Sequence, residues 1–165
     1  MKIRAATIED IPAIQDLAYA IWPDAYSKII SPEQLAYMLQ IIYSQESLLL
    51  QMQRGNNFII LSDETGAPVG FAAYVLKVDE TPITFRLQKL YVLQSLHGKG
   101  FGKLLLDYVI EKVKSEGGGK LDLTVNRQNP AQYFYHTMGF EILREEDTDI
   151  GNGFFMNDYV MEKNL

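Results

Sequence analysis

Leu90-Tyr91-Val92-Leu93-Gln94-Ser95-Leu96-His97-Gly98-Lys99-Gly100-Phe101-Gly102-Lys103 joins a strand to a helix through a glycine-rich turn. The apolar run from Leu90 closes a strand. An amphipathic helix begins near Phe101, with Leu105, Leu106, Val109, Ile110 and Val113 as its apolar stripe. The first turn of a helix carries N–H groups with no internal partner and a partial positive charge. Gly98, Gly100 and Gly102 let an anion approach those N–H groups closely, and Lys99 and Lys103 add charge. The segment therefore predicts a seat for a phosphate or pyrophosphate. A turn that only connects strand to helix is the plainer alternative, but three alternating glycines at such a junction favour phosphate. A P-loop fails, because His97 stands where its first glycine belongs and Leu104 follows Gly102-Lys103 in place of Ser or Thr. A dinucleotide fingerprint fits poorly, since the third glycine comes one residue early and the preceding strand belongs to a meander.

Upstream of this stretch, Phe58–Leu61, Val69–Val78 and Thr84–Leu93 read as three strands, the first two joined by the turn Asp63-Glu64-Thr65-Gly66. Lys2–Ala5 reads as a short first strand. A helix with Ile11, Ile14, Leu17, Ala18 and Ile21 on one face follows. Pro12 in that helix favours Asp10 as its cap, or an irregular first turn, over Thr7. Ser31-Pro32-Glu33-Gln34 reads as a helix start with Gln34 completing a capping box, and Ser44 as the cap of a further helix. Downstream, Gly117-Gly118-Gly119 stops the amphipathic helix. Leu121–Val125 is a short strand, parallel to the one before it because a helix intervenes. A short helix over Pro130–Thr137 and strands at Phe140–Glu145 and Phe154–Met161 complete the chain. The expected fold class is α/β (α+β): one domain over residues 1–165, with helices on both faces of a mixed sheet.

The chain has 165 residues, 47% hydrophobic and 22% charged, enough for one core and ordinary for a globular protein. No apolar run reaches the ~18 residues of a membrane span, and no apolar signal core follows the N-terminus, so the expected location is cytoplasmic with no membrane partner. Cysteine is absent, which excludes disulfides and a cysteine-bound acyl intermediate. Two histidines, His97 and His136, are too few to suggest a zinc site, and no metal is expected. A net charge of −6 argues against nucleic acid and is compatible with a cationic substrate.

His97-Gly98-Lys99-Gly100-Phe101-Gly102 resembles the acetyl-coenzyme A signature of the GCN5-related N-acetyltransferases (GNAT), with His97 where that family has Gln or Arg. A second signature agrees: Asn129-Pro130-Ala131, Phe134-Tyr135 and Gly139-Phe140 resemble the family's Asn-x-x-Ala, Phe-Tyr and Gly-Phe pattern in the right order. The resemblance covers nearly the whole chain. The stretches Ile21–Tyr26 and Asp149–Lys163 are similar to PaiA-type members, a subgroup associated with acetylation of polyamines such as spermidine.

That resemblance implies a mostly antiparallel sheet of six or seven strands with two parallel central strands splayed apart. It implies acetyl-CoA as cofactor and a primary amine of a small molecule as acceptor, attacked directly in a ternary complex. The strand through Leu90, Tyr91 and Val92 is expected to carry a bulge and part from the strand ending at Asn126, so that the pantetheine arm lies between them. One backbone N–H there would hold the thioester oxygen. The loop from His97 to Lys103 would bind the pyrophosphate, and Asn126, Asn129 and Ala131 would meet the arm. Asn129 also reads as a helix cap. Tyr135 is the candidate acid for the departing thiolate, against a core role. Trp22 and Tyr26 fall where the family builds its acceptor wall. They read equally well as cation-binding rings or as core. Asp158 is a candidate base but reads more simply as a solvated surface acid. A homodimer fits the family. The alternatives are a protein N-terminus, an amino acid or an aminoglycoside as acceptor, or a non-catalytic acyl-CoA sensor.

Overall fold

The computed structural model describes Met1–Leu165. Its strands are β1 (Lys2–Ala5), β2 (Asn57–Ser62), β3 (Pro68–Lys77), β4 (Thr84–Val92), β5 (Lys120–Asn126), β6 (Glu141–Gly151) and β7 (Phe154–Asn164). Its helices are α1 (Ile11–Tyr26), α2 (Pro32–Tyr43), α3 (Gln45–Gln53), α4 (Phe101–Ser115) and α5 (Ala131–Thr137). The seven strands form one sheet in the order β1-β2-β3-β4-β5-β7-β6. Every neighbouring pair is antiparallel except β4 and β5, joined through α4 as a parallel crossover requires.

Local chemistry sets the ends of these elements. Thr7 caps a short 3-10 turn over Ile8–Asp10, where the Asp10 carboxylate accepts from Thr7 N–H at 2.8 Å. α1 then starts at Ile11 with Pro12 in its first turn. The irregular first turn is thus the observed solution. Ser31 Oγ accepts from Gln34 N–H at 3.1 Å, as a cap should, but the Gln34 side chain does not close the box. It is buried instead, and its Nε2 donates to Phe155 C=O at 2.9 Å, tying α2 to β7. Ser44 caps α3 through Ser47 N–H at 3.2 Å. β6 runs to Gly151, well past the expected Glu145, because it pairs along nearly all of β7.

Two cores flank the sheet. One packs α4 and α5 on the sheet through Leu105, Leu106, Val109, Leu121, Leu123 and Phe140. The other packs α1, α2 and α3 on β2 and β3 through Ile14, Trp22, Tyr43, Leu48, Ile60 and Phe71. Each such side chain contributes about 1.5–3 kcal/mol by leaving water. No helix is long and apolar enough to cross a membrane.

β4 changes face in mid-strand. Ala73 of β3 lies opposite Lys89 while Tyr74 lies opposite Leu87, so Gln88 is an extra residue in β4. The strand through Leu90, Tyr91 and Val92 thus carries its bulge at Gln88, shortly before Leu90. The bulge reverses the alternation: Phe85 and Leu87 face α4, and so do Leu90 and Val92, while Lys89 and Tyr91 turn under the other helices. The pairing of β4 with β5 stops at Leu87 and Leu123. Beyond it the two strands part, and the backbone between Gln88 and Val92 has no partner on that side.

Candidate active site

The parting of β4 and β5 opens a cleft of about 870 Å³ that runs from the glycine loop at the start of α4, past α5, to the inner ends of α1 and α2. At one end the loop turns through Gly98 (φ +78°) and Gly100 (φ +84°), conformations open to glycine, and an added Cβ at either position would meet nothing within 4 Å. Leu104 N–H to Gly100 C=O, at 3.0 Å, is the bond that starts α4. The N–H groups of Phe101, Gly102 and Lys103 are left without an intrahelical acceptor, and Gly100 supplies no side-chain cap. The partial positive charge at this end is therefore uncovered.

His97 is exposed at the rim of this loop. Its Nε2 donates to Val92 C=O at 2.9 Å, and since a carbonyl only accepts, Nε2 carries the proton. The ring thus fastens the loop to the end of β4. Lys103 borders the cleft but pairs with Asp107 at 2.6 Å, and Lys99 lies outside it. The backbone N–H groups and the helix end supply the charge of the loop, with Lys103 at the edge of the cleft in an ion pair.

Opposite the loop, Asn129 Oδ1 accepts from Ala131 N–H at 2.9 Å and so starts α5, leaving its amide NH₂ on the cleft side. Asn129 therefore caps α5 and lines the cleft. Asn126 Oδ1 accepts from Gln128 N–H at 2.9 Å, shaping the turn between β5 and α5. Tyr135 is buried, packs edge-on against Phe134 and Phe140, and borders the cleft with a hydroxyl that no protein group engages. Burial keeps this phenol protonated far above its ordinary range.

The far end is aromatic and acidic. Trp22 and Tyr26 on the last turns of α1 are both buried and both line the cleft, so core and wall are the same place. Their rings lie 4.5 Å apart, and Tyr26 and Tyr91 share a hydroxyl–hydroxyl bond of 2.9 Å. Asp158 is not a surface acid. It is 7% exposed, on β7 opposite Asn126, and its Oδ1 has no hydrogen-bond partner. The surface reading is wrong because the side chain lies on the cleft side of β7, among Tyr26, Ile150 and Met156, and not on the outer face where its neighbour Asn157 is exposed. Burial, with Glu146 nearby, pushes its carboxyl up to about 6.

Sequence reasoning did not single out Asp24, Tyr43 or Lys89, all of which border the cleft. A signal existed for Lys89. In Phe85-Arg86-Leu87-Gln88-Lys89-Leu90-Tyr91-Val92 the apolar residues switch from odd to even positions, and a bulge does that. No group of three or more His, Cys, Asp or Glu side chains is placed to hold a metal.

A family model for the acetyltransferase (GNAT) domain matches residues 26–163. This chain belongs to the GNAT acetyltransferase family. Among its relatives is a spermidine N(1)-acetyltransferase of Thermoplasma acidophilum, 30% identical over 99% of this chain and 96% of that protein. A crystal structure of the PaiA N-acetyltransferase from Thermoplasma acidophilum in complex with coenzyme A superposes with a TM-score of 0.80 at 29% identity, covering 99% of this chain and 98% of that one. A GCN5-related N-acetyltransferase from Rhodopseudomonas palustris shares the fold, with a TM-score of 0.82 at 21% identity over 99% of this chain and 95% of that one. The GNAT chain is therefore an acetyltransferase, and the cleft between β4 and β5 is the place its geometry offers for the reaction.

Proposed function

We propose that this GNAT enzyme moves the acetyl group of acetyl-CoA onto a primary amine of a small polyamine, spermidine being the first acceptor to test. Acetyl-CoA supplies the acetyl group as a thioester. The uncovered N–H groups of Phe101, Gly102 and Lys103 suit the pyrophosphate. The unpaired backbone of Gln88–Val92 and the side-chain amide of Asn129 suit the pantetheine amides, and a backbone N–H at the bulge suits the negative charge that develops on the acyl oxygen.

Asp158 carries the choice of acceptor. An unpartnered, buried carboxylate beside aromatic rings attracts an alkylammonium. Its raised proton affinity suits it to take a proton from the nitrogen as that nitrogen bonds to the acyl carbon. The exposed Asp24 borders the same end, while Glu146 and Asp147 nearby are paired with Arg144 and Arg127, and the net charge of −6 has the sign that attracts a cation. Tyr135 is the group placed to return a proton to the departing sulfur. The kinship with a spermidine N(1)-acetyltransferase supports the same acceptor class.

The test is release of coenzyme A with acetyl-CoA and each of a panel of amines. Polyamine-dependent release supports the reading. Release only with a peptide N-terminus, an aminoglycoside or an amino acid moves the acceptor elsewhere, and acetyl-CoA binding without release on any amine points to a sensor.

A further inference from the structure

Lys89 is the only buried lysine or arginine of the chain, at 8% exposure. It stands on β4 directly after the bulge residue Gln88, at the point where β4 leaves β5. Its side chain runs under α3 and forms no ion pair. Nζ donates to Gln51 Oε1 at 2.6 Å and lies 5.3 Å from the ring centroid of Phe58 and 5.9 Å from that of Tyr43. Ala73, opposite Lys89 on β3, and Phe58, opposite Ala73 on β2, form the row that the side chain crosses. Gln51 is itself fixed, its Nε2 donating to Ile42 C=O at 2.8 Å and to Ser47 Oγ at 3.0 Å. A buried ammonium without a counter-ion is costly, and a methionine would fill the same space without that cost.

We propose that Lys89 is a positioning residue for acetyl transfer: its ammonium ties the bulged stretch of β4 to α3 and so holds the backbone N–H groups of Leu90 and Val92, which point away from β3, open to the gap. The proposal rests on the reading of that gap as the thioester site. The bond to Gln51 and the attraction to the two rings both weaken when the ammonium loses its proton. Burial lowers the proton affinity of Lys89 to about 8, within an accessible range. The groups facing Nζ are Gln51 from α3, Phe58 from β2 and Tyr43 at the end of α2. Tyr43 is the one titratable group among them, and burial keeps it protonated far above its ordinary value. Tyr91, the next residue on the same face of β4, is raised in the same way and does not titrate in this range.

The experiment follows the amide resonances of Leu90 and Val92 from about pH 6 to 10 in the wild type, Lys89→Met and Gln51→Glu, together with the pH profile of kcat at saturating substrate. In the wild type both amides and kcat are expected to share an alkaline transition near pH 8. Gln51→Glu sets a carboxylate beside the ammonium and moves that transition up by about one pH unit or more. Lys89→Met removes it and lowers kcat about tenfold, with the KM for acetyl-CoA within about twofold. Amides that do not titrate, a transition that Gln51→Glu leaves in place, or a wild-type kcat in Lys89→Met would each overturn the proposal. Should Lys89→Met fail to fold, the Gln51→Glu comparison decides. A failure of every acceptor amine counts against the acetyl-transfer reading alone, because the amide titration is read without an acceptor.

Discussion

Asp158 and Tyr135 face the same cleft with unengaged oxygens but opposite proton preferences. Asp158, near 6, is ionised at neutral pH and ready to accept a proton. Tyr135 is held protonated by burial, so its hydroxyl is a hydrogen-bond donor for the departing sulfur and gives up its proton only as negative charge builds there. Tyr135→Phe is expected to lower kcat by about 10²-fold while leaving the affinity for acetyl-CoA within about twofold, measured by steady-state kinetics and calorimetry. Asp158→Asn should lower kcat/KM for the amine by a similar factor and yet stabilise the fold. The sign follows from linkage. A carboxyl raised from 3.8 to about 6 on folding binds more protons in the native than in the unfolded state across that window. Its stabilising contribution is complete below 3.8 and is lost as pH rises through 6, so the buried carboxylate costs up to about 3 kcal/mol at pH 7. Urea midpoints at pH 7 and pH 4 measure this. The variant should gain at pH 7 relative to wild type and lose that advantage at pH 4, whereas equal midpoints at pH 7 would show that Asp158 is not strained by burial. Asp158 was misjudged from sequence because a lone acid in an alternating strand gives no sign of which neighbours will cover it. Trp22 and Tyr26 resisted assignment for a related reason: an aromatic on a helix face looks the same whether it meets core or cleft.

The junction of β4 with α4 joins the two halves of the site, and its parts differ in how plainly sequence shows them. The glycine loop was legible because only glycine tolerates φ near +80° and because the missing cap follows from the alternation itself. Gly100→Ala meets no crowding but forces a left-handed backbone on an L-residue. It is expected to cost about 1–2 kcal/mol and to raise the KM for acetyl-CoA several-fold with little change in kcat, as read by thermal unfolding and kinetics. An unchanged KM would remove this loop from the binding site. The splayed strands and a bulge in the strand through Leu90, in contrast, were expected from family resemblance, which does not give the bulge its place at Gln88. Its sequence signal, the switch of apolar residues from Leu87 to Leu90, becomes readable only once Lys89 is known to lie beneath α3. Gln34 shows the same limit: a local capping motif lost its second half to a partner 121 residues away on β7.

At the scale of the molecule, the element order and the sheet were legible because helical and strand periodicities alternate cleanly along the chain, and β5 is forced parallel to β4 by the helix between them. The acceptor end was not, since α1, α2, β6 and β7 meet there only through tertiary packing. Asp158 and the exposed Asp24 line that end and the chain carries a net charge of −6, which gives an acceptor test independent of any single residue. The KM for a polyamine should rise several-fold as salt is raised from about 0.05 M to 0.5 M, because screening weakens the attraction of a polycation to an acidic mouth. A KM that stays flat would argue for an uncharged acceptor. The most direct test of the central claim uses the absence of cysteine from the chain. A thiol reagent then reports released coenzyme A alone. With acetyl-CoA present, release should begin on addition of spermidine, saturate with its concentration and be nearly abolished in Asp158→Asn. Release at the no-amine rate with spermidine, alongside rapid release with a monoamine or a peptide, would contradict the polyamine assignment.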